Sequence, residues 1–497
     1  MAHQIVLAID VGTTNLKVAT INESGEIIRK YAQNMRLFQD TSGKAEQSPE
    51  ELLKSITKVV RYVSKGYEDS ISLIAICANG LSLVPVDDKF NPLTGIMTIL
   101  DSRPREVYGD FLRDFDARSV YTDTFVTPSI HTPLLKLYWL KKKTDFFHKA
   151  KYYLSCKDFI IAKIFGQPLT DPNTASTNGY FNVKSLTWEE SVLSALGLDV
   201  ENFPRIVEPN EVIGILPKKW CDIFGFKRAP LVLSGLFDGG AIALGNGIFE
   251  GGSLGVINLG TTAMFRVLAE SPMIDENDMY ALQSYYLCYN KWFVGNALSN
   301  AGNVVQWMSE MLSINVPDND IKALIYDNTS PIFFLPFLTG ERAIDFGDIA
   351  SGLVVGLRPT HTKIQLMRST FEGVGFMFKM VLETLQRHNL EPLTVRIGGG
   401  GSRSETWLRT ISSILNTPLI VADKQDSSLL GLAILGFTAL GMYHSLTEAT
   451  ENMIKNYEEI MPDKFLVEKY TKEYEFFKTL LRISKEIFEQ YHELFEK

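Results

Sequence analysis

One short pattern, written twice, constrains this 497-residue chain more than anything else in it. The first copy is Ile5-Val-Leu-Ala-Ile-Asp10-Val-Gly12-Thr13-Thr14-Asn-Leu-Lys17. An unbroken aliphatic strand stops at an acid and runs through Gly-Thr-Thr into a second strand carrying a lysine. The second copy is Leu254-Gly-Val-Ile-Asn258-Leu-Gly260-Thr261-Thr262-Ala-Met-Phe-Arg266-Val267, with Gly260 lying 248 residues (260 − 12) after Gly12. A repeat at half-chain spacing predicts a fold built by duplication, two α/β units of one design. In each copy the glycine lets the backbone approach a ligand closely, and the threonines add hydroxyl and amide donors suited to phosphate oxygens. Asp10 puts one carboxylate at a strand end, where hydrated Mg²⁺ is readily held. A single copy is equally an ordinary turn with a solvated acid; the recurrence weighs against that.

A chain of this length has room for two or three domains with full cores, and the repeat favours two. The glycine-rich stretch 245–252 is the expected hinge, giving units 1–245 and 246–497, the latter ending in a helical tail. That tail carries Phe477, Leu480, Leu481, Ile487, Phe488 and Tyr491 on one helical stripe, which reads as packing. Net charge is −9 with acids and bases interspersed, so no nucleic-acid footprint is expected, and an anionic substrate would need local cations. Cys77, Cys156, Cys221 and Cys288 lie far apart with no CxxC spacing, as in a reduced cytoplasmic protein. No apolar stretch reaches the roughly 20 residues of a membrane span. The oligomeric state stays open, with a homodimer as one expectation.

Three further segments carry chemistry. The strand 229–234 runs into Gly235-Leu-Phe237-Asp238-Gly239-Gly240 and a helix of small residues from Ala241. Asp238 is either the N-cap of that helix or a general base that accepts a proton late in phosphoryl transfer. The strand Ile71 to Cys77 ends at Ala78-Asn79-Gly80, as strands that point into ligand clefts do. Between a strand at 394–397 and a helix at 405–415, Gly398-Gly399-Gly400-Gly401-Ser402 makes a surface without side chains, against which a flat base or a phosphate can lie, with Ser404 and Asn416 nearby. Neither GxxxxGK[ST] nor a complete GxGxxG is present, so phosphate binding falls to the hairpins.

Two phosphate-binding hairpins half a chain apart resemble the actin, hexokinase and sugar-kinase superfamily, whose paired ribonuclease-H-like α/β domains close on ATP in a cleft between them. Asp10-Val-Gly-Thr-Thr, Gly235-Leu-Phe-Asp238-Gly, Asn258-Leu-Gly-Thr-Thr and Gly399-Gly-Gly-Ser402, in this order, are similar to the FGGY carbohydrate kinases. The resemblance implies ATP- and Mg²⁺-dependent phosphorylation of a sugar or polyol hydroxyl. It assigns the metal to Asp10 and the phosphates to Gly12, Thr13, Thr14, Lys17, Gly260, Thr261 and Thr262. The base falls to Asp238, and the adenosine to Gly399, Gly400, Gly401, Ser402 and Asn416. The substrate end takes in Asn79, Gly80, Asp101, Arg103, His131 and Phe237.

Thr127-Pro-Ser-Ile-His131-Thr-Pro, Asn91-Pro-Leu-Thr-Gly-Ile-Met-Thr and Gly340-Glu-Arg-Ala343 are similar to the gluconate kinase branch. An anionic sugar acid needs a cation, for which Arg103 is the natural candidate; Arg103 equally reads as a structural partner of Asp101. His131 reads as a substrate donor or a loop-packing imidazole. This chain departs from the family pattern at Ala78-Asn79 (usually Met-His), Ile99 (usually Trp) and Ile344 (usually Pro), all at the substrate end. Xylulose, or another neutral ketose or polyol, therefore competes with gluconate. An actin-like switch or sugar sensor without turnover is the alternative of a different class, against which Asp238 in its glycine frame argues.

Overall fold

Aliphatic strands joined by a three-residue turn have one way to pair. In the computed structural model, which describes residues 4–249, 253–314, 326, 330–422, 426–454 and 457–495, Ile5–Val11 and Asn15–Asn22 form an antiparallel hairpin with Asp10 opposite Lys17. Leu254–Leu259 and Ala263–Ala269 repeat it, with Asn258 opposite Met264. Each hairpin seeds one sheet.

Around the first hairpin the strand order is Ile27–Asn34, Asn15–Asn22, Ile5–Val11, Ile71–Ala78, Leu231–Leu233, with Val212–Ile215 as an antiparallel edge. Around the second it is Lys291–Leu298, Ala263–Ala269, Leu254–Leu259, Thr394–Gly398, Leu419–Ala422. Tyr457–Ile460 is again an antiparallel edge, and Gln283–Cys288 is added outside Lys291–Leu298. Three antiparallel strands, two parallel ones and an antiparallel edge are one ribonuclease-H-like topology used twice. The central strand Ile5–Val11 is buried throughout, as a strand covered on both faces must be.

The helix Pro49–Ser64 begins where its signals put it. Ser48 Oγ accepts the Glu51 N–H at 3.3 Å, proline follows the cap, and Leu52, Ile56, Val59, Val60 and Val63 face the sheet. Two other helices matter more for the site. Asp238–Gly245 begins three residues earlier than Ala241, so Asp238 is its first residue and Phe237 its N-cap. Ser427–Ala439 comes from the second half of the chain yet joins a core shared with the first sheet, in which Leu429 and Leu432 meet Val6, Ala8, Leu73, Ala241 and Leu244.

These two helices meet backbone to backbone. A Cβ on Gly431 would overlap the Ala241 carbonyl oxygen, and one on Gly245 would overlap that of Ser427. The tail forms one long helix, Lys464–Phe495, with Phe477, Leu480, Leu481 and Phe488 buried. Ile487 and Tyr491 correct the sequence reading. They are 49% and 46% exposed, because at 3.6 residues per turn they fall on the face beside the buried stripe. Of the expected hinge, residues 250–252 lie outside the described residues. No described helix is long and apolar enough to cross a membrane, and all four cysteines are buried and unpaired.

Gly431→Val should lower stability by at least about 1–3 kcal/mol, the usual range for forcing methyl groups into a packed contact. Thermal unfolding reads this as a lowered midpoint. Gly109→Ala, whose Cβ would meet nothing nearer than Arg113 at 3.9 Å, is the comparison expected to leave the midpoint in place.

Candidate active site

The two hairpin tips share one crevice. A cavity of about 450 Å³ is lined by Asp10, Gly12, Thr13, Thr14 and Lys17 from the first repeat and by Gly260 and Thr261 from the second. Asp238, Gly399, Gly400 and Ser402 complete its walls with Asp426, Ser427 and Ser428. Thr262 is not in this lining; its carbonyl closes the second turn by accepting the Gly260 N–H at 3.0 Å. Gly399 is pressed onto the second hairpin at φ +94°, a conformation and proximity that only glycine tolerates.

Asp238 emerges from a loop that glycine makes possible. Gly235, at φ +81°, passes so close to Ile76 O that any Cβ would overlap it. Asp238 Oδ1 then accepts the N–H groups of Gly80 at 3.2 Å and Gly239 at 2.9 Å, and Oδ2 has no hydrogen-bond partner among the described residues. Burial, and after it the charge of Asp10, push its pKa up to about 6, in spite of those amides. A carboxylate with that pKa and a vacant oxygen facing the cavity suits proton acceptance near neutrality.

Asp10 faces the same cavity from the carboxyl end of a parallel strand, the end at which Asp238 also lies. Its Oδ2 accepts from Ser428 Oγ at 2.6 Å, the Cys77 thiol lies 3.5 Å from Oδ1, and Lys17 Nζ is 3.8 Å from Oδ2. Burial raises its pKa against the pull of Lys17, Ser428 and Cys77. Lys17 is held more closely by Asp426, at 3.1 Å, and Asp426 also takes Lys30 at 2.8 Å. The hard oxygens of Asp10, at a strand end beside open volume, fit hydrated Mg²⁺ rather than a softer metal. No cluster of three or more His, Cys, Asp or Glu occurs among the described residues. A bound ion would therefore draw its remaining ligands from water and phosphate.

A second cavity, about 800 Å³, continues from Gly260, Thr261, Gly400 and Gly401 to Gly302, Gln306, Ser404, Phe371 and Trp407. The rings of Phe371 and Trp407 stack at 5.0 Å and 11°. Both rings are buried and form an apolar wall of this cavity. Gly302, Gln306, Phe371 and Trp407 escape a reading of the sequence, where the two aromatics look like helix core. Asn416 corrects that reading in the other direction. It ends the helix Glu405–Leu415 at φ +54°, a left-handed cap that asparagine tolerates. The cavity is at the Ser404 end, about 15 Å away along eleven residues of helix.

At the substrate end a third cavity, about 520 Å³, is lined by Leu81, His131, Gln283, Tyr285, Glu341 and Arg342 among others. It adjoins the base: Gly80 bonds Asp238 and Leu81 lines the cavity, while Phe237 meets Tyr285 edge-on at 5.7 Å. Asn79 is buried behind this junction, its Nδ2 3.3 Å from Gln47 Oε1 and its Oδ1 unpartnered. Of the two readings of Arg103, the structure takes the structural one. Its guanidinium pairs with Asp101 at 2.6 Å and Glu46 at 2.5 Å and lies over the Trp139 ring, and neither Asp101 nor Arg103 lines a cavity named here. His131 shares Nδ1 with Ile99 O at 2.9 Å, and Nε2 has no partner among the described residues.

The family model for the N-terminal domain of the FGGY family of carbohydrate kinases matches residues 5–245, and that for the C-terminal domain matches 255–440. The chain belongs to the FGGY family of carbohydrate kinases. Relatives of this kinase include a gluconokinase of Bacillus subtilis (strain 168), 27% identical over 465 residues, covering 90% of each chain. A xylulose kinase of Staphylococcus xylosus is 22% identical over 96% of this chain and 99% of its own. The crystal structure of gluconate kinase from Lactobacillus acidophilus superposes with TM-score 0.92 at 23% identity, over 98% of this chain and all of that one. The kinase thus has the family's fold along nearly its whole length.

The burial of Asp238 carries a prediction for the pH dependence of this kinase. Because the pKa is raised, the carboxylate is protonated below about pH 6, so kcat/KM should fall with unit slope as pH drops through that value. A bound divalent cation moves the limb lower. Asp238→Asn should lower turnover by at least ~10²-fold. Since the cost of ionising buried Asp238 builds up between the ordinary aspartate pKa and the raised folded value and is complete above it, the same variant should melt higher than wild type at pH 7.5, by a margin that shrinks as the pH falls toward 4. Near-wild-type turnover in a folded Asp238→Asn protein would remove Asp238 from the chemistry.

Proposed function

We propose that this kinase transfers the γ-phosphate of ATP to a hydroxyl of gluconate, giving 6-phosphogluconate. The observation that carries the choice of a sugar acid is an excess of buried cation at the substrate cavity. Arg342 lines it, donating from Nε to Ala297 O at 3.1 Å and from Nη2 to Leu298 O at 3.3 Å. Beneath Tyr285, Arg266 is 2% exposed and donates to Gln283 O and Phe293 O. Neither makes a salt bridge with a carboxylate among the described residues, and burial lowers the pKa of both. Arg342, Lys136 and Arg105 all act on His131, whose pKa falls to about 4, chiefly through burial. Buried charge demands a counter-charge. Glu341, held by the Ser299 N–H, supplies part of it, and a ligand carboxylate supplies the rest.

The reaction then follows from the walls. The adenine lies on the Phe371–Trp407 shelf and the phosphates lie between the two hairpin tips, where backbone amides and Lys17 meet their oxygens. Asp10 would hold Mg²⁺, which neutralises charge on the phosphates when bound. The acceptor hydroxyl, entering from the third cavity past Gly80, reaches the vacant oxygen of Asp238, which takes its proton as the phosphoryl group transfers. Positioning does most of the work in such a loose transition state. The relatives named gluconokinase support the same substrate.

A coupled ADP-release assay over gluconate, xylulose, ribulose and glycerol should give gluconate the highest kcat/KM. Arg342→Gln should raise KM for gluconate by about 10- to 100-fold, the scale of a lost charge-assisted hydrogen bond, and change little for neutral acceptors. Preference for a neutral ketose that Arg342→Gln leaves untouched would replace gluconate with xylulose or a similar substrate.

A further inference from the structure

The base stands at the end of a loop, and that loop is braced at both ends from one buried segment. Lys157 Nζ donates to Ser234 O at 2.9 Å and pairs with Asp171 at 2.8 Å. Asp171 caps the short helix Pro172–Ala175, accepting Thr174 N–H at 2.9 Å and Thr174 Oγ1 at 2.7 Å. From that helix Asn173 Oδ1 accepts the Phe237 N–H at 3.1 Å, one residue before Asp238. The whole brace is dry: Lys157 is 1% exposed, and Asp171 and Asn173 are fully buried.

Asn173 has a second attachment. Its Nδ2 donates to Tyr286 O at 2.6 Å, in the strand Gln283–Cys288 of the second sheet, and beside it Ser176 Oγ accepts the Tyr286 N–H at 3.0 Å. That strand presents Gln283 and Tyr285 to the substrate cavity. One planar amide therefore joins the base loop of the first half to the substrate wall of the second. No other side chain of this size offers one acceptor and one donor in the same plane. Gly240 leaves room for it, since a Cβ there would overlap Asn173 Oδ1.

We propose that Asn173 is a positioning residue for Asp238, seating the base only when the strand Gln283–Cys288 is docked against the first half. The amide touches neither substrate nor nucleotide; it acts through Phe237. When it is lost, the Phe237 N–H is freed and Asp238 drifts from the Gly80 and Gly239 amides that favour its ionised form. A displacement of about 1 Å at a reacting group costs up to roughly 10²-fold in rate. Docking of the substrate wall and readiness of the base thereby become one event.

The inference rests on the reading of Asp238 as the base, and three variants separate the two. Asn173→Ala should lower kcat by about 10- to 100-fold, leave ADP affinity and KM for ATP within about twofold, and move the acid limb of kcat/KM upward. The groups facing Asp238 are the Asp10 carboxylate, the Cys77 and Cys156 thiols and the amides of Gly80 and Gly239. Ser176→Ala breaks the neighbouring bond to the same strand and should leave kcat and the limb in place. Gly240→Ala keeps Asn173 but displaces its amide while favouring the helix, and should reproduce the kcat loss even where Asn173→Ala folds poorly. Unchanged kcat in Gly240→Ala or Asn173→Ala, with Asp238→Asn inactive, overturns the positioning role alone. Equal losses in Ser176→Ala and Asn173→Ala, with no shift of the limb, overturn it in favour of a plain seam between halves. An active Asp238→Asn removes the base itself.

Discussion

The backbone contact between Asp238–Gly245 and Ser427–Ala439 is the constraint on which the site depends. One helix opens with Asp238; the other, at its second residue, supplies the hydroxyl that bonds Asp10. The helices come from different halves of the chain, and Gly245 and Gly431 set how near they lie. That distance fixes the spacing of two carboxylates, and close packing strips water from both. Their raised pKa values are thus a packing result before they are an electrostatic one. A wider crossing would admit water and let Asp238 fall back toward an ordinary acid.

The two repeats share topology but not charge. At the position where the first hairpin pairs Asp10 with Lys17, the second pairs Asn258 with Met264. A second carboxylate there would add like charge against the phosphates that the tips must hold. A neutral amide instead packs beside Gly399, whose missing Cβ would meet Asn258 Oδ1. The basic residue of the second copy, Arg266, is turned away from the tips into the interior beneath Tyr285, toward the substrate cavity. Duplication supplied one scaffold twice, and charge differentiated it into a side with a carboxylate and a lysine and a side with neither.

What could be read from residue order alone was what local chemistry determines. The hairpins, the Ser48 cap, the glycine frame of Asp238 and the side-chain-free loop at 398–402 each declare themselves within a few residues. The failures share a cause: they depend on what a residue meets across the fold. Arg103 and Arg342 both follow an acid closely, yet the first is consumed by Asp101 and Glu46 while the second, beside a Glu341 bonded to backbone amides, keeps its charge for the cavity. Asn416 lies 14 residues (416 − 402) past Ser402 in sequence, but an intervening helix carries it to the wrong end. Phe371 and Trp407 fit the apolar stripes of their helices and are buried as such, and that they also wall a cavity shows only in the fold.

Lys17 connects these strands of argument. Its ammonium sits between Asp10 of the first half and Asp426 of the second, across the cavity where phosphate would lie. Held so, it offsets two acids that would otherwise repel an anionic nucleotide. A phosphate placed between the tips would compete with Asp426 for the same ammonium, while Lys30 would still pair with Asp426. The exchange replaces one ion pair by another, so the lysine changes partner without leaving a buried charge alone. An arrangement of this kind lets a site rich in carboxylate accept an anion at all.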